Sequence, residues 1–147
     1  MSTAERWHEA RVAVRYAETD QMGVVYYANY LVWFEVGRTE LFRALGLTYR
    51  RLEELGLLAP AIEAHVWYHH SARYDDQLVV RTALVEAGVV RYRFRYEVVR
   101  SADGALLATG ETAHTFIDSR GKPVALRRSH PELWEKLQGL VGANEQS

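Results

Sequence analysis

The sequence predicts an α+β domain in which one antiparallel sheet curls around a long apolar helix. Three observations predict it. The stretch from Asn29 to Leu45 carries apolar residues at helical spacing, whereas four runs after residue 58 alternate with a period of two. Turn residues separate those runs at hairpin distance, and strands joined by short turns pair antiparallel. The helix is too apolar to lie on a surface, so the sheet must cover it.

The elements follow in order. In "HEARVAVRYAET", Val12 and Val14 alternate with Arg11, Ala13 and Arg15, so a first strand runs from about residue 8 and ends near Asp20. The helix comes next, with Tyr30, Leu31, Trp33, Phe34, Leu41, Phe42 and Leu45 as its apolar set and Gly46 at its expected stop. It would be about 25 Å long at 1.5 Å per residue. Its first half, "YLVWFEVG", is apolar on nearly every side and reads as enclosed. "TYRRLEEL" is a short amphipathic helix with Leu52 and Leu55 inward.

The strand-like runs "EAHVWYHHSARY", "DQLVVRTALVEA", "VVRYRFRYEVVR" and "LLATGETAHTFI" follow, with turn signals at Asp75-Asp76, Gly88 and Asp103-Gly104. The third alternates most cleanly, Val90, Tyr92, Phe94, Tyr96 and Val98 against Arg91, Arg93, Arg95 and Glu97. "SRGKP" turns the chain into a closing helix over about 130–140, with Pro131 in its first turn and Gly139 or Gly142 near its end. A length of 147 residues suits a single domain over 1–147, with its core at about 8–127.

Composition narrows the function. A formal net charge of -1 offers no field to recruit nucleic acid. The absence of cysteine removes disulfides, thiolate nucleophiles and Cys-based metal sites, and points to a cytoplasmic protein. Charges at Glu5, Arg6, Glu9 and Arg11 break up any signal-peptide core, and nothing reaches membrane-spanning length, so no membrane is expected as a partner.

The chemistry concentrates in "AETDQMGVVYYANY". Asp20 sits between the first strand and the long helix, whose opening turn leaves N–H groups without intrahelical partners and carries partial positive charge. Such donors make half an oxyanion hole. Gly23 leaves the backbone open to an approaching carbonyl. An ordinary aspartate is ionised at neutral pH and serves as nucleophile or as general base for water, which fits acyl transfer to water. Taken locally, Asp20 reads first as a turn or helix cap, since Asp is strongly favoured there.

Other constellations are thinner. No G-x-S-x-G elbow occurs. His65 and His69 would share a strand face, but no zinc-ligand pattern accompanies them, so no metal is expected. Glu35 and Arg38 are spaced for an intrahelical ion pair, yet a carboxylate on an apolar helix is costly unless paired, which makes Glu35 a second candidate acid. Arg91, Arg93 and Arg95 make either a solvated outer face or a rim for ligand phosphates. Tyr16, Tyr26, Tyr27, Tyr30 and Trp33 crowd the Asp20 region as core or interface residues, since aromatic residues dominate both.

"VRYAETDQMGVVYYANYLVWFEVGRTELF" resembles the signature of the 4-hydroxybenzoyl-CoA thioesterase-like (4HBT-like) family of hotdog-fold acyl-CoA thioesterases, and "YDDQLVVRT" resembles that family's second recurring stretch. Tyr16, Thr19, Asp20, Gly23, Val25, Tyr27, Asn29, Tyr30, Phe34, Glu35 and Arg38 fall in register. The resemblance implies a hotdog fold, a five-stranded antiparallel sheet wrapped around a central helix, assembled as homodimers or homotetramers with active sites between subunits. It implies that Asp20 is the catalytic carboxylate and that the backbone N–H at Tyr27 polarises the thioester carbonyl. Gly23, Val25, Tyr26 and Tyr30 are then the substrate-binding set. No cofactor is implied beyond the coenzyme A of the substrate.

A branch encoded near the Tol-Pal envelope system has histidine where this chain has Tyr27, so only the backbone role carries over there. Tyr16 matches a tyrosine near the site in that branch, or else simply ends the first strand. The expected activity is hydrolysis of a small aromatic or short- or medium-chain acyl-CoA. The alternative is a hotdog domain that binds an acyl thioester without turning it over. A dehydratase on the same fold ranks last, because it wants a histidine at the active helix and none lies between residues 9 and 64.

Overall fold

In the computed structural model, residues 7–145 are described, with side chains through residue 141. The charges at Glu5 and Arg6 and both ends of the 1–147 span lie outside them. Five strands, β1 (His8–Ala13), β2 (Ala61–Tyr68), β3 (Gln77–Ala87), β4 (Arg91–Arg100) and β5 (Leu106–Thr115), form one sheet in the order β1-β3-β4-β5-β2. Every pairing is antiparallel. The helices are α1 (Asn29–Ala44), α2 (Tyr49–Glu54), α3 (Leu126–Ser129) and α4 (Pro131–Glu145).

Helix α1 lies across the concave face. Trp33, Phe34, Leu41 and Phe42 are buried there, Phe34 stacked on Tyr96 at 4.3 Å and Phe42 edge-on to Phe94 at 5.7 Å. Two glycines allow so close an approach. A Cβ on Gly37 would come 2.3 Å from Thr82 Oγ1, and one on Gly110 would come 2.2 Å from the Phe34 ring. On β4, Tyr92, Phe94, Tyr96 and Val98 face inward as their alternation predicts, whereas Val90 lies in the turn before the strand and is exposed. The outer face is a ladder of opposite charges in which Arg93 meets Glu63, Glu86 and Glu111, Arg91 meets Glu63, and Arg81 meets Glu97 and Glu9. The arginine stripe is thus met by glutamates of neighbouring strands.

Several expectations change. The turn signal at Asp75-Asp76 does not close a hairpin, for β2 and β3 are not neighbours. The segment between them instead crosses over the start of α1, held by Val25 N–H donating to the Ala72 carbonyl at 2.9 Å and Ala72 N–H donating to Tyr30 Oη at 3.1 Å. The first strand stops at Ala13 rather than near Asp20, because Glu18 turns inward and a 3-10 turn forms over Tyr16–Glu18. Helix α4 runs past Gly139 and Gly142, since Leu133, Leu137, Leu140 and Val141 bury one continuous face. α3 was not anticipated.

Nor is α1 enclosed on every side. Leu31, Val32 and Glu35 are exposed within the single chain. Glu35 therefore keeps its solvent and needs no partner, while Arg38 donates to Tyr96 Oη at 3.1 Å. Among the described residues no helix is long and apolar enough to cross a membrane.

Candidate active site

The site is assembled by the loop that carries the chain from β1 to α1. Its anchor is Glu18, which is only 5% exposed. One carboxylate oxygen accepts the Arg15 N–H at 2.7 Å, and the other accepts Trp33 Nε1–H at 3.1 Å. The Glu18 carbonyl accepts the Tyr26 N–H at 2.8 Å and Asn29 Nδ2–H at 2.9 Å. A buried carboxylate is tolerable when several donors meet it, and these bind the 3-10 turn to the start of α1.

Between Glu18 and Tyr26 the chain makes a tight hairpin, with Thr19 bridged to Val25. Asp20 N–H donates to the Val24 carbonyl at 2.8 Å, and Gly23 N–H donates to the Asp20 carbonyl at 3.1 Å. Gly23 takes φ +79°, a left-handed conformation that glycine adopts at little cost. The Asp20 side chain joins this turn, Oδ1 accepting the Met22 N–H at 2.8 Å.

Asp20 borders a cleft of about 370 Å³ whose wall also holds Val25, Tyr27, Tyr30, Tyr68, His69 and His70. The N–H groups at the cleft's helix end are the electrostatically active feature. Those of Val25, Tyr26, Asn29 and Tyr30 donate to backbone carbonyls, whereas those of Tyr27 and Ala28 have no acceptor among the described residues. The cleft thus brings one carboxylate and the free donor of Tyr27 to the positive end of a helix, with the free Ala28 N–H on the next peptide. Burial pushes the Tyr30 and Tyr68 hydroxyls up, so both stay protonated at neutral pH. No group of three or more His, Cys, Asp or Glu suited to a metal occurs among the described residues.

Of the residues singled out in the sequence, Asp20, Val25, Tyr27 and Tyr30 meet in this cleft. Tyr16 does not line it. It is 77% exposed, edge-on to Tyr74 at 5.8 Å, and borders a separate depression on the other flank of Asp20. Gly23 shapes the turn rather than the wall. Tyr26 packs on the Tyr27 ring at 4.7 Å with its side chain turned out, and its hydroxyl is pushed up by its hydrogen bond with Tyr27. Glu35 lies further along α1, away from the cleft.

Glu18 and Tyr68 carry no role in the sequence reading, and His69 and His70 are weighed there only as metal ligands, not as part of the Asp20 cleft. The histidines come from the segment crossing α1, so reasoning from the histidine-free stretch 9–64 overlooked groups that the fold brings to Asp20. His69 lies just past the end of β2, where its Nε2 meets Thr109 Oγ1 at 3.1 Å. The signal for Glu18 was present: it lies inside the stretch that carries the family resemblance.

Known proteins of this shape and sequence exist. A family described as the thioesterase-like superfamily matches residues 14–137. The Bacillus subtilis protein YneP is 38% identical over 122 residues, 82% of this chain and 88% of its own length. The acyl-CoA thioesterase YbgC of Haemophilus influenzae is 36% identical over 128 residues, 86% of this chain and 93% of its own. Among solved structures, a DHNA-CoA thioesterase from Staphylococcus aureus superposes with a TM-score of 0.87 at 33% identity, covering 96% of this chain and 95% of that one.

Proposed function

The chain belongs to the thioesterase-like superfamily, and we propose that it hydrolyses an acyl-CoA thioester with Asp20 as the reacting carboxylate. The observation that carries this reading is the shared cleft, which holds Asp20 together with Tyr27, whose backbone N–H has no acceptor among the described residues. Asp20 attacks the thioester carbonyl or takes a proton from the attacking water. Negative charge then grows on the carbonyl oxygen, and the Tyr27 N–H receives it at the helix start, where one such donor is worth about 3 kcal/mol. Collapse expels the coenzyme A thiolate. When water is the attacking group the carboxylic acid forms at once. When Asp20 attacks, a mixed anhydride on Asp20 is left, which water then hydrolyses to the carboxylic acid while restoring the Asp20 carboxylate.

Val25, Tyr30 and Tyr68 border the acyl-binding part of the cleft, which suits a small aromatic or a short- to medium-chain acyl group. Gly23 and Tyr26 act through the turn and through Tyr27, and Tyr16 flanks Asp20 from outside. Glu35 has no step within one subunit. The reading uses the chain's own groups, with coenzyme A entering as part of the substrate, and places the protein in the cytoplasm with acyl-CoA. It also expects a homodimer or homotetramer, supported by the apolar side chains left open at Leu31 and Val32 on α1 and at Ile62 and Trp67 on the edge strand β2.

The test is a panel of acyl-CoA esters with released thiol as the readout, run on the wild-type protein and on Asp20→Asn. Full activity in Asp20→Asn sinks the assignment. One observation favours a non-catalytic binder, namely that Oδ1 already caps Met22. Tight acyl-CoA binding with the whole panel left intact would establish that reading instead.

A further inference from the structure

Tyr68 ends β2 at the margin of the cleft. It is 48% exposed, yet its hydroxyl is committed, donating to the Tyr27 carbonyl at 2.9 Å across 41 positions of sequence. That carbonyl is otherwise weakly served, since the Tyr30 N–H approaches it only to 3.4 Å. A peptide unit is planar, so holding the Tyr27 oxygen fixes the direction of the Ala28 N–H on the opposite side of the same plane.

The preceding peptide is held in the same manner. Its oxygen, on Tyr26, accepts the Asn29 N–H at 2.9 Å, which fixes the N–H of Tyr27. Two consecutive peptides are therefore clamped at their oxygens while their N–H ends stay free. The first clamp is local backbone. The second is a side chain from the far edge of the sheet, its ring seated edge-on against Tyr30 at 5.2 Å.

We propose that Tyr68 is a positioning residue of the oxyanion hole, holding the Tyr27–Ala28 peptide so that the Ala28 N–H joins the Tyr27 N–H in facing the developing negative oxygen. The inference rests on the thioesterase reading of this cleft. It also explains why an edge-strand tyrosine points its hydroxyl at a helix start rather than at water. Without the hydroxyl the peptide rocks about its flanking bonds, and the Ala28 N–H is aimed correctly for only part of the time.

The experiment compares wild type, Asp20→Asn and Tyr68→Phe on the best substrate of the panel, with amide resonances of Tyr27 and Ala28 recorded for wild type and Tyr68→Phe. The phenylalanine keeps the ring and its packing on Tyr30. The expected result is a kcat about 10-fold lower, part of the loss seen when a whole donor is removed, with KM within about twofold of wild type. The Ala28 amide should shift and exchange faster with solvent, at an unchanged Tm. A Tyr68→Phe enzyme with wild-type kcat, beside an inactive Asp20→Asn, overturns the role of Tyr68 and leaves the thioesterase reading standing. A raised KM at constant kcat also overturns it, because the hydroxyl would then bind substrate and transition state alike. A wild-type protein inert towards every ester overturns the thioesterase reading, and the oxyanion role with it.

Discussion

Mild acid should destabilise this protein through one histidine. His114, on the inner face of β5, is 2% exposed and closes a chain of hydrogen bonds with a fixed direction. Arg38 only donates, to Tyr96 Oη at 3.1 Å; Tyr96 Oη meets Thr112 Oγ1 at 2.6 Å; Thr112 Oγ1 meets His114 Nε2 at 2.8 Å. At the other end, Nδ1 lies 3.1 Å from the Ala59 carbonyl, which only accepts. Neutral imidazole with its proton on Nδ1 satisfies every group. Imidazolium does not, because Nε2 would then present a proton where Thr112 also presents one. Burial, with the Arg38 charge adding to it, pushes His114 down from 6.5 to about 4.

The sign follows from linkage. Because the folded value is depressed, the unfolded chain binds the proton more readily between pH 6.5 and 4, and stability is lost as pH falls through that window. The contribution is fully present above the upper value. Between pH 7 and pH 5 the loss is about 2 kcal/mol, approaching about 3 kcal/mol below pH 4. Set against a typical stability of about 5–15 kcal/mol, the effect is large enough to read from urea unfolding midpoints at the two pH values. His114→Gln provides the control, since an amide cannot titrate. If this variant loses as much stability as wild type from pH 7 to 5, the reasoning about His114 is refuted.

Two further substitutions test how the site is supported. Gly110→Ala would set a methyl 2.2 Å from the fully buried Phe34 ring and 2.8 Å from the His65 carbonyl; with backbone on one side and a stacked ring on the other, it should cost about 3 kcal/mol or more, measured by chemical denaturation. Glu18→Ala should cost about 2–4 kcal/mol by leaving Trp33 Nε1–H and the Arg15 N–H without acceptors, and it should lower thioesterase kcat as well, because the Asp20 turn loses its anchor; thermal unfolding together with the thiol-release assay checks both.

What was legible in the sequence divides along local and non-local physics. Helix α1 and strand β4 declare themselves because burial of one face repeats at 3.6 or 2 residues whatever lies opposite. Period says which face is buried but nothing of which neighbour covers it, so β2 was set beside β3 when it pairs with β5. That error hid the most consequential part of the cleft wall. Tyr68, His69 and His70 line the same cleft as Asp20 only because the chain leaves β2 at one edge and crosses α1 to start β3 near the other.

The place of Asp20 at the cleft was legible, and its reading as a cap is compatible with its proposed role as the reacting carboxylate. The bond from Met22 N–H to Oδ1 is what a capping aspartate makes, and it draws on one oxygen of a two-oxygen group. A carboxylate free to rotate would face the thioester only part of the time, whereas one held by its own turn presents a constant edge to the cleft. On the thioesterase reading proposed above, the cap is a means of orientation, and Glu18 extends the same logic by fixing that turn against α1. On this reasoning the local turn chemistry of the loop serves the reaction by removing freedom from the group that reacts.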